Sequence, residues 1–519
     1  MNPLLDGLFA QWRALEAAQR LAHGEPDYGA TAMARQWRAL QAWQHNLDAI
    51  DVRQWDVEDQ VDYQLIRAEG QALSFNLRVL QPWARDPAFY KSLWMEQSDT
   101  PEHEGPTHHG AIEWWSYRLP LGASDAARLA GELATIAPLL AQARINLTGD
   151  AGELWRAGIP VLVEQEQNLA HLAATAGQAA PALVPTIHAA QRATAEFVQW
   201  LKQQGAGKSG PSGVGRDNYN WYLRNAHLVP MDWDSEVALH RRELARAHAS
   251  LRLEEHRNRH LPPLRPIATA GEYAERTEAS VHTYMAFLRD QQILPLRPYM
   301  EPALQAHTGR FVEAGQRNFF AIVRHLEPMV LWCHWYHWFE IAQSQHEPHP
   351  RATRRGPLRF NIFDSRAEGL ATAMEEMMLH AGLFDANPRA RELVWIMLAQ
   401  RAARGLASLY VQANRMTLQQ AQDFHVRNTP RGWMRADLPL LQFEQHLYLR
   451  QPGYGTSYVS GKALIEQLLA DYAEHRGDAF VLSEFFDAVN AAGVIPVSLL
   501  RWELTGRDDD MLTLGLIAA

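Results

Sequence analysis

The stretch Leu129 to Ala141, LAGELATIAPLLA, sets apolar residues three and four positions apart. That interval matches the turn of an α-helix and predicts a helix with one buried face. The same interval recurs in Trp155 to Leu172, Val237 to Leu253 and Ala463 to Tyr472. Strand-like alternation is scarce, no Gly-rich phosphate loop follows a strand, and no repeat of fixed period occurs. The pattern predicts an all-α protein. Its 519 residues exceed the usual size of one core, so two lobes are expected. Gly205 to Gly215, GAGKSGPSGVG, reads as a flexible Gly/Ser tract. The expected division is an N-terminal helical lobe over 1–204, a linker over 205–218 and a C-terminal helical lobe over 219–519.

Charge narrows the partners. The chain carries 59 acidic against 49 basic residues, a formal net charge of −10, and no strong basic run offsets it. Neither nucleic acid nor an anionic membrane is an expected partner. The single cysteine, Cys333, allows no intrachain disulfide and suits a reducing compartment. The first residues, MNPLLDGLFAQWRALEAAQR, are amphipathic, without a basic start and an unbroken apolar core. No apolar run approaches the ~18 residues that a spanning helix needs. A cytoplasmic location is the resulting expectation.

The residues that carry chemistry concentrate in the C-terminal half. Leu331 to Glu340, LWCHWYHWFE, puts His334 and His337 three apart, on one face of a predicted helix that Glu340 continues. Two imidazoles so placed can approach one ion. Four aromatic neighbours also make this a helix that would pack in any core, with its histidines hydrogen-bonded there. Phe363 to Glu376, FDSRAEGLATAMEE, opens a helix with Glu368. Ser365 and Glu368 fit a capping box, which competes with a ligand role for the same carboxylate. Gly369, Ala371 and Ala373 would let another helix come close. In Arg450 to Lys462, RQPGYGTSYVSGK, glycines surround Tyr454 and Tyr458 in what reads as a shaped loop before a helix. A phenol there can donate to an oxyanion, or plug a gap in the core. His103, His108 and His109, and likewise His346 and His349, read as exposed loops; Pro348 and Pro350 deny the second group a helical face. Cys333, among apolar neighbours, reads as an inert core thiol.

Beyond these patterns, the chain resembles the bacterial family called domain of unknown function 885, which is related in fold to the helical gluzincin peptidases. Glu368-Gly369-Leu370-Ala371 is similar to the family's E-G-W-A. Arg401 and Arg404 match its R-x-x-R helix. Thr417 to Ala421 resembles S-x-E-Q-A. Pro452-Gly453 with Tyr458 to Gly461 matches P-G-Q-A-x-x-Y-x-x-G, and Phe485 to Pro496 its closing segment. Val57 to Glu69 is similar to an early D-x-x-D-Y-x-L-L region. The departures fall on the chemistry. The family's H-E-x-x-P-G-H has Leu331 and Trp332 in place of its first His and Glu, and Trp335 and Tyr336 in place of Pro-Gly. Its D-x-G-x-H helix reads Ser408 to Gln412, and its F-H-D reads Phe485-Phe486-Asp487.

The resemblance implies two lobes about a cleft and leaves two functions open. One is a divergent hydrolase of peptide or amide bonds in a small or peptide substrate. There His334, His337 and Glu368 would hold zinc, Tyr458 and Tyr454 would serve the oxyanion, and Glu340 is the nearby base. Arg404, Trp335 and Trp338 are the candidate substrate-binding side chains. The other is a metal-free descendant with an aromatic pocket, acting as a binding protein or on a different reaction. Zinc and no metal are equally compatible with these residues.

Overall fold

The computed structural model describes residues 2–17, 19–97, 112–356, 358–360 and 363–517, with the side chains of 176–179 excepted. The protein is all-α. Among the described residues the strands are Leu93–Trp94 and Ile112–Glu113, a two-residue parallel pair. No described helix is long and apolar enough to cross a membrane. The expected histidine loop at His103, His108 and His109 lies outside the described residues.

Two compact units make up the chain, and neither is continuous in sequence. One comprises Asn2–Val52 and Glu69–Val214; the other takes Arg53–Ala68 together with Gly215–Ala519.

In the first unit, helices α1 (Gly152–Ala179) and α2 (Val184–Gly205) present the predicted periodic faces. Trp155, Leu162, Leu169 and Leu172 share one buried cluster with Ile187, Phe197 and Leu201. The apolar stretch at 129–141 is interrupted: helices Ala123–Ala134 and Ile136–Asn146 meet at Thr135. Pro138 lies in the first turn after the break, where its missing N–H costs the helix nothing. The Gly/Ser tract is tied down rather than loose. Gly152 donates to the Gly210 carbonyl at 3.0 Å, and Ser212 Oγ accepts from the Glu153 and Leu154 amides at 3.0 and 3.2 Å. Arg85 reaches the Pro211 and Ser212 carbonyls. A Cβ at Gly210 would stand 2.0 Å from the Asp150 carbonyl oxygen. The glycine there serves close approach, not flexibility.

In the second unit the centre is built from α3 (Trp233–Arg257), α4 (Pro328–His334), α5 (Tyr336–His346), α6 (Asp364–His380), α7 (Ala390–Gln412) and α8 (Tyr454–Arg476). Helices α6 and α7 are buried nearly all round, which is why they lack a one-sided apolar pattern. Helices α6 and α8 cross with their backbones in contact: a Cβ on Gly369 would lie 2.5 Å from the Gly461 carbonyl carbon, and one on Gly461 2.2 Å from the Ser365 oxygen. The 53–68 segment is held in this unit by charge. Arg354 pairs with Asp62 and Glu503, both at 2.7 Å, and Arg351 with Glu58, Asp59 and Asp62.

Candidate metal centre

The stretch 331–340 is not one helix. Helix α4 ends at His334, Trp335 adopts φ −74°, ψ 26°, and α5 starts at Tyr336. The break falls where Trp335 and Tyr336 replace Pro-Gly in the motif compared above, so the backbone turns there without either residue. It leaves the His334 and His337 rings edge to face, with centroids 5.4 Å apart.

Helix α6 supplies the carboxylate. It starts at Asp364 after Phe363, whose φ is +57° and which makes no side-chain cap. Ser365 is therefore inside the helix and the expected capping box does not form. The Glu368 carboxylate turns instead toward the histidines. Its Oε2 lies 3.2 Å from His337 Nε2 and 3.4 Å from His334 Nε2. Its Oε1 accepts the hydroxyls of Tyr454 and Tyr458, each at 2.8 Å. Both tyrosines stand on the first turns of α8, which starts at Tyr454 after Gly453 at φ +91°. They belong to a helix and not to the expected loop. Their four-residue spacing puts both phenols on one side.

Each imidazole also faces an outer carboxylate. His334 Nδ1 is 3.2 Å from Glu375 Oε1, and Arg401 grips that carboxylate at 2.7 and 2.9 Å. His337 Nδ1 is 3.8 Å from Glu340 Oε2, and Glu340 pairs with Arg366 at 2.6 Å. Arg404 pairs with Glu444 at 2.6 Å, and its guanidinium covers the Tyr458 ring at 3.8 Å. Burial alone would raise the Glu368 pKa, but His337 and His334 outweigh it and hold the group well below the usual carboxylate range. Glu340 behaves alike: burial raises it, while Arg366 and His337 bring it down below normal.

The centre is nearly closed to solvent, with the His334 side chain 11% exposed and the Glu368 side chain 3%. Glu340, Glu375 and Glu444 each have a guanidinium partner. Glu368 has only phenols and imidazoles at contact distance among the described residues. With neutral imidazoles, one negative charge is left uncompensated in a dry place.

These residues fit a divalent cation such as zinc. One ligand atom from each of His334, His337 and Glu368 lies within 4.8 Å of the others. Nitrogen and carboxylate oxygen are donors zinc takes, and three protein ligands leave a position for substrate. Among the described residues the buried His334 Nδ1 has no hydrogen-bond partner, and Glu375 is the carboxylate that faces it. Carboxylates behind ligating histidines are the usual outer support of such a site.

Other expected site residues lie apart from this carboxylate. Trp338 stacks on His307, with centroids 3.3 Å apart, and Trp335 packs on Trp332. His346 ends α5, exposed, and His349 accepts the Arg351 amide. Cys333 is buried, its thiol donates to the Met329 carbonyl at 3.2 Å, and burial holds its pKa well above the ordinary value. Glu375, Arg366 and Glu444 were not expected at the site. Glu375 lies two turns beyond Glu368, so the seven-residue spacing was the available signal.

Residues 337–504 match the model of a bacterial protein family of unknown function, DUF885. Over this segment the chain is similar to the DUF885 family. The match opens on His337 and takes in Glu340, Glu368, Glu375, Arg401, Arg404, Tyr454 and Tyr458; His334 precedes it. Two solved structures share the fold. One, a candidate lipoprotein of unknown function from Shewanella oneidensis, is 15% identical, with a TM-score of 0.68 over 96% of each chain. The other, a candidate lipoprotein from Colwellia psychrerythraea, is 13% identical, with a TM-score of 0.60 over 99% of this chain and 98% of its own. No curated protein matches the sequence.

Proposed function

We propose that His334, His337 and Glu368 hold a divalent metal, zinc by donor chemistry, and that this centre acts on a peptide or amide bond of a small substrate. One observation carries the reading: both Nε2 atoms converge on one Glu368 oxygen, while each Nδ1 faces a carboxylate of its own. A carboxylate at Nδ1 favours the tautomer with its proton there, which leaves the Nε2 lone pair for a ligand bond. Bound zinc would supply Lewis-acid polarisation of a carbonyl oxygen.

The remaining work falls to the chain. Tyr454 and Tyr458 fix Glu368 through Oε1 and leave Oε2 to face the histidines. Arg404, over the Tyr458 ring, holds that phenol in place by cation–π contact. The surrounding helices exclude water. Tyr458 donates to Glu368 and Glu340 is paired with Arg366, so in this reading both position the ligands.

A metal-free reading has its own support, because imidazole-to-carboxylate distances of 3.2 and 3.4 Å also suit protonated histidines paired with Glu368. Titration of the purified protein with cobalt(II), followed by visible absorption, separates the two. Saturable binding that is lost in His337→Ala supports the metal centre. Absence of binding supports the ion-paired pocket. A cytoplasmic location is part of this proposal, while both structural neighbours are described as candidate lipoproteins.

A further inference from the structure

The ligand His334 stands outside the DUF885 match, and its support comes from inside it. We propose that Glu375, held by Arg401, is the positioning residue that makes His334 a metal ligand. The inference rests on the metal reading of the site.

Three observations converge on it. Glu375 Oε1 is 3.2 Å from His334 Nδ1, an ion-pair contact, and neither atom has a hydrogen-bond partner among the described residues. The Glu375 carboxylate is 2% exposed and cannot be replaced by solvent in this role. Arg401, fully buried, binds both its oxygens, at 2.7 Å from Oε1 and 2.9 Å from Oε2. A carboxylate hydrogen-bonded on Oε2 and ion-paired on Oε1 has little room to swing, so it holds a fixed negative charge against the imidazole. The corresponding chain behind His337, through Glu340 to Arg366, is looser at its first step, 3.8 Å against 3.2 Å. Helix α6 carries both Glu368 and Glu375, two turns apart on one face. One helix thus supplies a ligand and the support of another ligand, the latter delivered from α4.

The test uses the full chain and two metals, cobalt(II) by visible absorption and zinc by chelator competition. Glu375→Gln keeps the shape and removes the charge. Zinc affinity is expected to fall 10- to 100-fold, the usual loss for an outer-shell partner of a ligating histidine. The cobalt spectrum should approach that of His334→Ala. A lone buried Arg401 could unfold the single variant, so Glu375→Gln with Arg401→Met removes the pair together and should show the same loss. Glu376→Gln with Lys462→Met is the control. It removes a buried pair between α6 and α8, 2.9 Å apart, with no imidazole of the site among its described partners. It should leave affinity and spectrum unchanged. Wild-type protein that binds neither metal overturns the centre itself. Wild-type binding that His334→Ala weakens, with both Glu375 variants unaffected, overturns this inference alone. An equal loss in the control would reduce Glu375 to general packing and overturn it as well.

Discussion

Glu368 divides its oxygens between two kinds of partner, phenols on Oε1 and imidazoles on Oε2. A hydrogen bond to a charged carboxylate contributes roughly 1.5–3 kcal/mol. Tyr458→Phe is therefore expected to lower stability by about 2 kcal/mol by urea denaturation, and to weaken metal binding, with Tyr454 still in place. Unchanged stability with slowed turnover would return Tyr458 to the oxyanion role that the sequence suggested. A second residue makes a pH-dependent prediction. Glu236 is buried against Tyr219 at 2.6 Å and Ser460 at 2.7 Å. Burial pushes its pKa up to about 7, against those hydrogen bonds. A raised acid favours folding while protonated, so its penalty grows from pH 4.5 to 7 and is full above that. Glu236→Gln should stabilise the protein by up to about 3 kcal/mol at pH 8 and by almost nothing at pH 4. A gain of equal size at both values would mean that the carboxyl does not titrate there. Residue types alone brought His334, His337, Glu368, Tyr454 and Tyr458 to attention. Glu375 offered only its seven-residue spacing from Glu368, and Arg366 offered no signal, because charged residues on a helix read as a solvated face until the neighbouring helices are known.

The elements reach the site by contact between small residues. Helix α6 brings Glu368, α8 brings both tyrosines, and their distance is set where Gly369 meets Gly461. Gly461→Ala places a methyl group 2.2 Å from the Ser365 carbonyl oxygen. Backbone cannot give way as a side chain can, so the helices must part. The expected cost is about 3 kcal/mol, at the upper end for overpacking, with loss of metal affinity as Tyr454 and Tyr458 withdraw from Glu368. A folded variant with wild-type affinity would show that this crossing does not set the site. Small residues at Gly369, Ala371 and Ala373 announced a close helix in the sequence, but not its identity. Helix ends were the least legible feature. The Gly-rich start of α8 looked like a loop, and the aromatic run over α4 and α5 hid a break that only the backbone angles of Trp335 reveal.

For the whole molecule, the helical period gave the all-α class without ambiguity, because it is local. Which segment folds with which is not local. The 53–68 segment joins the unit of 215–519, where its acids meet Arg351 and Arg354. A fragment of 215–519 alone would leave these arginines, the second 2% exposed at the side chain, without Asp59 and Asp62. Breaking a buried pair costs about 3–5 kcal/mol, so this fragment should melt well below the same fragment with 53–68 restored at its N-terminus. Equal melting temperatures would remove the segment from the unit's stability. The claim that organises the site is that Glu368 and two imidazoles share a cation. Elemental analysis of the full chain, purified without chelator and dialysed against metal-free buffer, tests it most directly. The account predicts close to one equivalent of zinc per chain, lost in both His334→Ala and His337→Ala. A wild-type protein free of metal, and equally free of it after incubation with excess zinc and repeated dialysis, would contradict it.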